Sequence, residues 1–476
     1  MWLRTISVAL AVAALLAAGN AVFAGNWPQF RGPGGAGTAV GTDSLPLEIG
    51  PDKNVIWKTA LSPGHSSPIV WGDHIFLTAV REQKLLTIGL DRATGKILWE
   101  QAAPHEQLEQ IHSIGSHAQC TPATDGERVV SFFGSSGLYC YDMGGKLLWE
   151  RPMGPFKNDF GAGSSPIIVD DLVILCQDHD TDSFLAAFDK RTGKTRWQTD
   201  RSEFPRNYGT PVVWEVGGKK QLVVAATLRV VGYDLESGKE LWTVRGIARF
   251  ISASPVVADG QLYVCGWAKG GDGNDALAIE PFDKVLPALD KNKNGLLERD
   301  ELAKGDAVEQ RYVQVDRDKS GTLTKEEYEF FRRLCSEGKN VLIAIKPGAE
   351  GEATQTHKVW EQKRHVPFCA SPLIVDGTLF TVKDRGILST LYAKDGKLAR
   401  EGRLAAAADY YASPVSGDGK VYLIDQRGKL SIVSANPSWE LLGKADFGED
   451  AYGSPAIVDG RIYLRTNGHL YCFGLQ

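Results

Sequence analysis

Two stretches of this 476-residue chain place oxygen-bearing side chains at the spacing a hard cation requires. The first is Asp290-Lys291-Asn292-Lys293-Asn294-Gly295-Leu296-Leu297-Glu298-Arg299-Asp300-Glu301. The second is Asp316-Arg317-Asp318-Lys319-Ser320-Gly321-Thr322-Leu323-Thr324-Lys325-Glu326-Glu327. Ca²⁺ is surrounded by a twelve-residue loop that supplies side-chain oxygens from its first, third and fifth positions and a backbone carbonyl from the seventh. A direct or water-bridged group comes from the ninth and a bidentate glutamate from the twelfth, and glycine at the sixth permits the sharp turn. In the first loop these are Asp290, Asn292, Asn294, the Leu296 carbonyl, Glu298 and Glu301; in the second, Asp316, Asp318, Ser320, the Thr322 carbonyl, Thr324 and Glu327. An acidic surface loop does not meet this whole set twice by chance. Two calcium sites are expected, and the second should bind more tightly, because Asp316, Asp318 and Glu327 give it one more direct carboxylate than Asp290 and Glu301 give the first.

Both stretches resemble complete EF-hand loops. That resemblance implies a short strand pairing at the eighth positions, Leu297 and Leu323, and helices on either side. Phe282, Val285, Leu286 and Leu289 follow the spacing of an apolar helical face. Pro287 interrupts the hydrogen-bond ladder of that helix, so it should be short or kinked. Val308, Tyr312 and Val315 mark the next helix, and Tyr328, Phe331 and Leu334 the last. The connection from Glu301 to Asp316 is short, which calls for tight packing of the two units. Dissociation constants of about 10⁻⁴ to 10⁻³ M suit calcium sites in an exported protein.

The body that carries these loops is written in a repeat. A Ser/Thr-Pro dipeptide opens an apolar strand at Pro68, Pro122, Pro166, Pro211, Pro255, Pro372, Pro414 and Pro455, at intervals of 41 to 54 residues, except for one interval of 117. Self-similarity at this period marks units that must stack to bury their apolar faces. Within most units an Asp-Gly turn, two further strands ending in Asp, and a Thr/Ser-Gly-Lys turn lead to a fourth strand carrying Trp. Each unit reads as a four-stranded antiparallel sheet. Trp99, Trp149, Trp197, Trp242, Trp360 and Trp439 are expected on successive fourth strands, wedged between neighbouring sheets. The last unit runs out after Leu470-Tyr471-Cys472-Phe473 with three strands. Val55-Ile56-Trp57-Lys58 has the character of the missing fourth, and joining it would close the ring and remove the open sheet edges. The expected fold is all-β, an eight-bladed propeller of four-stranded antiparallel blades, with a small α-helical insertion between the second and third strands of blade five.

The segments Asp91 to Trp99, Asp189 to Trp197 and Asp234 to Trp242 each follow Asp-x-x-Thr/Ser-Gly-x-x-x-Trp. With them, the chain resembles the pyrroloquinoline-quinone-like (BamB-like) propeller repeat proteins. Asn26-Trp27-Pro28-Gln29-Phe30-Arg31-Gly32-Pro33 is similar to the N-terminal signature of their exported members. The resemblance covers nearly all of the chain outside the insertion and speaks to fold rather than activity.

Residues 1–24 carry an early Arg4, an apolar run from Ile6 to Ala18 and Val22-Phe23-Ala24, the pattern of a cleaved export signal. The organisation is therefore a signal peptide at 1–24, an extension at 25–54, propeller at 55–268, a calcium-loop insertion at 269–339 opened by Gly270-Gly271-Asp272-Gly273, and propeller with ring closure at 340–476. Periplasmic or extracellular residence follows, with no membrane span after signal removal. A net charge of -5 leaves no basic footprint for nucleic acid. Of the seven cysteines, Cys140, Cys176, Cys265 and Cys472 sit in apolar strand runs and read as buried core thiols.

The residues before each Ser/Thr-Pro should face the central channel: His65, His117, Asn207, Tyr208, Arg249, Phe250, His365, Tyr410, Tyr411, Asp450 and Tyr452. No motif assigns a catalytic residue. Two functions follow. One is a calcium-binding, non-catalytic scaffold in the cell envelope, with a protein or saccharide partner at the propeller loops, as the resemblance to the propeller of the outer-membrane barrel-assembly machinery implies. The other is a quinoprotein dehydrogenase using pyrroloquinoline quinone in the funnel. The resemblance to those enzymes implies adjacent cysteines under the cofactor, and no Cys-Cys occurs here, so calcium is the expected cofactor and the quinone is not.

Overall fold

The Ser/Thr-Pro repeats become eight antiparallel sheets in the computed structural model, which describes residues 25–41, 43–105, 108–180, 182–270 and 277–475. The expected export signal and most of the glycine-rich opening of the insertion lie outside the described residues. Blade one comprises Ile69–Trp71, His74–Arg81, Lys84–Asp91 and Ile97–Ala103. The pattern repeats to blade eight, where Ala456–Val458, Arg461–Arg465 and His469–Gly474 are completed by Val55–Ala60. Val55 stands opposite Phe473 and Thr59 opposite Leu470, so the strand expected from the N-terminal side closes the ring. Blade four gains a fifth, parallel strand, Gly351–Glu352, beside Trp242 and Thr243.

Blades are joined by their tryptophans. Trp57, Trp99, Trp149, Trp197 and Trp360 each donate their indole N–H, at 2.9 to 3.0 Å, to a turn carbonyl of the next blade: Arg92, Met143, Lys190, Leu235 and Ala393. The turn is built by its aspartate, as where the Asp189 carboxylate accepts the N–H and hydroxyl of Thr192. Its glycine then lies against the indole. Gly193, at φ +68°, has no room for a Cβ above Trp149. Two tryptophans depart from the pattern. Trp242 donates to Gln221 of its own blade, because the next blade replaces the tight turn with the segment bearing Gly351–Glu352. Trp439 is not on a fourth strand; it precedes Leu441–Asp446 and packs back onto Gly402 and Arg400 of blade six. Arg400 holds there the register position that Trp has elsewhere, opposite Thr390, so blade seven lends blade six its missing ring.

The cysteines are free thiols, all buried except the half-buried Cys369. Apolar cores lie between neighbouring blades. Val130, Cys140 and Trp149 of blade two, for example, pack with Val173, Leu175 and Phe188 of blade three.

Between Gln261–Gly266 and Val341–Ile345, the second and third strands of blade five, the chain leaves the sheet. The excursion contains the helices Phe282–Leu289, Tyr312–Val315 and Lys325–Glu337. The first is short, as Pro287 demands. The third starts on a reciprocal cap in which Thr324 and Glu327 exchange hydrogen bonds. Phe282, Leu297, Leu302, Val308, Tyr312, Val315, Leu323, Tyr328, Phe331 and Cys335 form a core of their own.

Candidate functional site

The two oxygen-rich loops share one hydrogen-bond pattern. Their first residues, Asp290 and Asp316, each accept the N–H groups of the fifth and sixth positions, Asn294 and Gly295 in one loop and Ser320 and Gly321 in the other, at 2.9 to 3.2 Å. The sixth-position glycines have φ of +80° and +85°, a conformation side chains rarely adopt. The twelfth-position carboxylates turn inward across the loop. Glu301 accepts the N–H of Lys291 and Glu298, and Glu327 that of Arg317 and Thr324. Leu297 pairs with Leu323, and the Tyr312 hydroxyl donates to the carbonyls of both Leu297 and Gly321, tying the loops together.

Their side chains differ. In the second loop, carboxylate oxygens of Asp316, Asp318 and Glu327 lie within 4.8 Å of one another. Burial pushes the Asp316 carboxyl up, against the Gly321 N–H, and the neighbouring Asp318 and Glu327 add to the rise. Such crowding of like charge is relieved by a cation. Ser320 and the Thr322 carbonyl are close by, joined at 3.0 Å. In the first loop the amides of Asn292 and Asn294 donate to Glu298 at 3.2 and 2.8 Å, so the ninth-position carboxylate is drawn in as well.

The second loop is also seated on the propeller. Lys157 donates to the Asp318 carbonyl at 2.7 Å, and Arg317 donates to the carbonyls of Asp180 and Ser202 at 3.1 and 2.8 Å. Beneath it lies a network of charged groups from blades three and four. Arg206 pairs with Asp180 and Asp159, and the fully buried Arg201 forms a two-pronged pair with Asp178 at 2.8 Å. The bonds from Lys157 and Arg317 join side chains to backbone carbonyls more than a hundred residues away, and no motif announces them.

A cavity of about 430 Å³ occupies the central channel. Its wall is built in tiers. The residues before the eight prolines, Ser67, Thr121, Ser165, Thr210, Ser254, Ser371, Ser413 and Ser454, all line it. Each hydroxyl accepts the backbone N–H of the equivalent residue in the preceding blade at 2.8 to 3.0 Å, so the bonds run round the ring without a break. Two residues earlier stand His65, Gln119, Gly163, Tyr208, Ser252, Cys369, Tyr411 and Tyr452, and these line the cavity as well. In extended chain, alternate residues share a face, which separates Tyr208 from Asn207, Phe250 from Arg249 and Tyr411 from Tyr410, whereas His117, His365 and Asp450 share the channel parity and still fall outside the wall. His65, Tyr208, Phe250, Tyr411 and Tyr452 line the channel, whereas His117, Asn207, Arg249, His365, Tyr410 and Asp450 do not. Tyr410 is buried with its hydroxyl on the Ala406 carbonyl, and Asn207 donates to Asp178. His365 turns to Glu401 and His117 to the Glu109 carbonyl. His65 stacks on Tyr452 with ring centres 3.7 Å apart, and burial, reinforced by Arg465, pushes it down to about 3.

The N-terminal extension crosses the ring. Trp27 pairs with Val70 of blade one, the Pro28 carbonyl accepts Thr124 N–H of blade two, and Ala39 bonds Ser416 of blade seven. Midway, Phe30 enters the cavity wall and the buried Arg31 donates to the Pro372 carbonyl at 2.8 Å.

Fold and channel define an eight-bladed, tryptophan-docked propeller whose first and last strands share a sheet. The family model described as outer membrane protein assembly factor BamB matches residues 48–176, 89–272 and 333–476, and the chain belongs to that family. The matches stop at 272 and resume at 333, so the helical excursion lies largely outside them. No curated protein matches the chain. Among solved structures, BamB from Moraxella catarrhalis is similar over 88% of this chain and 99% of its own, with 12% identity and a TM-score of 0.55. The computationally designed Ika8 protein is similar over 89% and 100%, with 11% identity and a TM-score of 0.55. Quinohemoprotein alcohol dehydrogenase from Comamonas testosteroni is similar over 94% and 80%, with 12% identity and the same TM-score of 0.55. Likeness at this identity concerns the fold.

Proposed function

We propose that this protein is an exported, calcium-binding propeller that acts as a non-catalytic binding scaffold in the cell envelope. The observation that carries the reading is the convergence of Asp316, Asp318 and Glu327 in a loop held on the propeller by Lys157 and Arg317. The residues fit a hard cation. Asp316, Asp318, Ser320, the Thr322 carbonyl, Thr324 and Glu327 would hold one ion, and Asp290, Asn292, Asn294, the Leu296 carbonyl, Glu298 and Glu301 a second, in an EF-hand pair spanning about residues 269–339. Bound calcium would supply charge neutralisation and fix both loops; the side chains of this chain would supply the docking.

Support for a non-catalytic channel comes from its wall. Among the described residues lining it there is no carboxylate, lysine or arginine, and burial holds the half-buried His65 far below the usual imidazole range, a poor match for a general base. The family's name, an assembly factor, agrees with a protein partner at the propeller loops; a saccharide is the other candidate for the aromatic-rimmed channel. No helix among the described residues is long and apolar enough to cross a membrane. Residues 1–24 are the proposed export signal.

Calorimetric titration of the full chain with Ca²⁺ tests the metal sites: two binding events are expected, the tighter one lost in Glu327→Gln and the weaker one in Glu301→Gln. Absence of heat at millimolar calcium would sink the reading. Dye reduction with alcohols or aldose sugars, after incubation with pyrroloquinoline quinone and Ca²⁺, tests the scaffold assignment, and turnover would replace it with the dehydrogenase.

A further inference from the structure

A second cavity, of about 520 Å³, lies where the insertion meets the propeller, above the channel. Phe160, Phe250 and Phe368 belong to both spaces and form the belt between them. Phe250 and Phe368 stack at 6.2 Å, and Trp267 meets Phe368 edge-on at 5.2 Å. Phe330 and Phe331 close the opposite side from the helix Lys325–Glu337.

The polar lining is unbalanced. Arg206 is neutralised by Asp180 and Asp159. Arg249, Arg311 and Arg317 also line the space, and among the described residues none of the three forms an ion pair. Their hydrogen bonds go to the carbonyls of Lys269, Ala307, Asp180 and Ser202. The Arg249 Nε is buried without a partner. Of the lining carboxylates, Glu327 turns into its own loop, and Asp384, which accepts the Tyr410 N–H at 3.5 Å, is pushed up by burial and by Asp409. Arg249 lies over the Phe331 ring and Arg317 over Phe330. Burial, with Arg311 and Arg206 nearby, pushes the Arg249 guanidinium down. Like charges held together in a half-dry space are stabilised by an anion, and guanidinium is the group that grips a planar acid two-pronged. Flat aromatic walls favour a flat apolar body.

We propose that the cavity under the insertion binds a planar organic anion, with a carboxylate or sulfonate held by Arg249 and Arg311 and a flat apolar body against Phe250, Trp267 and Phe368. This goes beyond the calcium sites and the scaffold role, since neither supplies a ligand for these guanidinium groups.

Fluorescence titration of the full chain, in millimolar calcium, with anilinonaphthalene sulfonate and with the neutral phenylnaphthylamine of the same ring system tests it. A single saturable site is expected for the sulfonate, at least tenfold tighter than for the neutral compound. Arg311→Gln and Arg249→Gln should each weaken the sulfonate at least fivefold and leave the neutral compound unchanged, with the melting temperature reporting that the fold is intact. Equal affinity for the two compounds, non-saturating binding, or indifference to both substitutions would overturn the proposal. The comparison of the two compounds stands on the unmodified protein alone.

Discussion

The backbone N–H of Ser454 donates to the hydroxyl of Ser67 at 2.9 Å, joining the eighth blade to the first across 387 residues of chain. Seven like bonds complete the circle. The Ser/Thr-Pro dipeptide thus does two jobs: the proline opens a strand without offering a donor, and the hydroxyl before it satisfies a backbone donor of the neighbouring blade. Ser67→Ala leaves the buried Ser454 N–H unpaired, which should cost about 1–3 kcal/mol in urea unfolding, while Ser67→Thr keeps the acceptor and should lose less than half of that.

Gly193→Ala should destabilise more than an ordinary turn substitution. The residue sits at φ +68° and its added methyl would meet the Trp149 indole. Left-handed strain contributes about 1–2 kcal/mol, and displacement of a ring that bonds the Lys190 carbonyl adds to it. Thermal unfolding should show the loss, and Gly217→Ala, with open space around it at φ +58°, should show the strain alone.

Stability should fall as the pH drops below about 6.5. Burial holds both His65 and His179 at about 3 in the folded protein, against 6.5 for a free imidazole. The unfolded chain therefore takes up protons in this window that the folded chain refuses, which favours unfolding by at most about 1.4 kcal/mol per pH unit for each group. Urea midpoints between pH 7 and 4 measure the slope, and His179→Gln should flatten it.

Arg317→Ala removes the two bonds to the Asp180 and Ser202 carbonyls and should loosen the insertion without unfolding the ring. Hydrogen exchange should rise in residues 312–337 and around 157–160, and remain slow at the Ser/Thr circle. Uniform exchange throughout would show that the insertion is not seated by this residue.

Calcium at ten times its dissociation constant should raise stability by about 1.4 kcal/mol per site. Glu327→Gln should cancel the share of the second loop and about halve the calcium-induced rise in the melting temperature of the insertion, and Glu301→Gln added to it should abolish the rise.

Much of this molecule was legible in its sequence because the relevant signals are local and repeated. The proline spacing located the blades, the long interval located the excursion, and the three-stranded last unit pointed to Val55–Ala60 as its partner. The pairing of Leu297 with Leu323 is the one that the resemblance of the two loops to EF-hands implies. The channel wall is less legible, because proximity to a proline does not fix which way a side chain faces: parity turns Tyr411 to the cavity and Tyr410 away, while His117, His365 and Asp450 share the channel parity and lie outside it. Trp439 was misplaced because blade six has Arg400 at the tryptophan position and borrows a ring from the next blade's turn. The seat of the insertion was invisible, since Lys157 and Arg317 bind backbone carbonyls that any sequence provides.

The sharing of one sheet by Val55–Ala60 and His469–Gly474 also sets a clock. A ribosome delivers Val55–Ala60 long before His469–Gly474, so the earlier strand waits without its neighbour while the intervening blades are made. The ring therefore cannot close until blade eight has been made, and a chain that stopped short of it would be left with two open sheet edges. Only a chain that carries both strands can hide its seam.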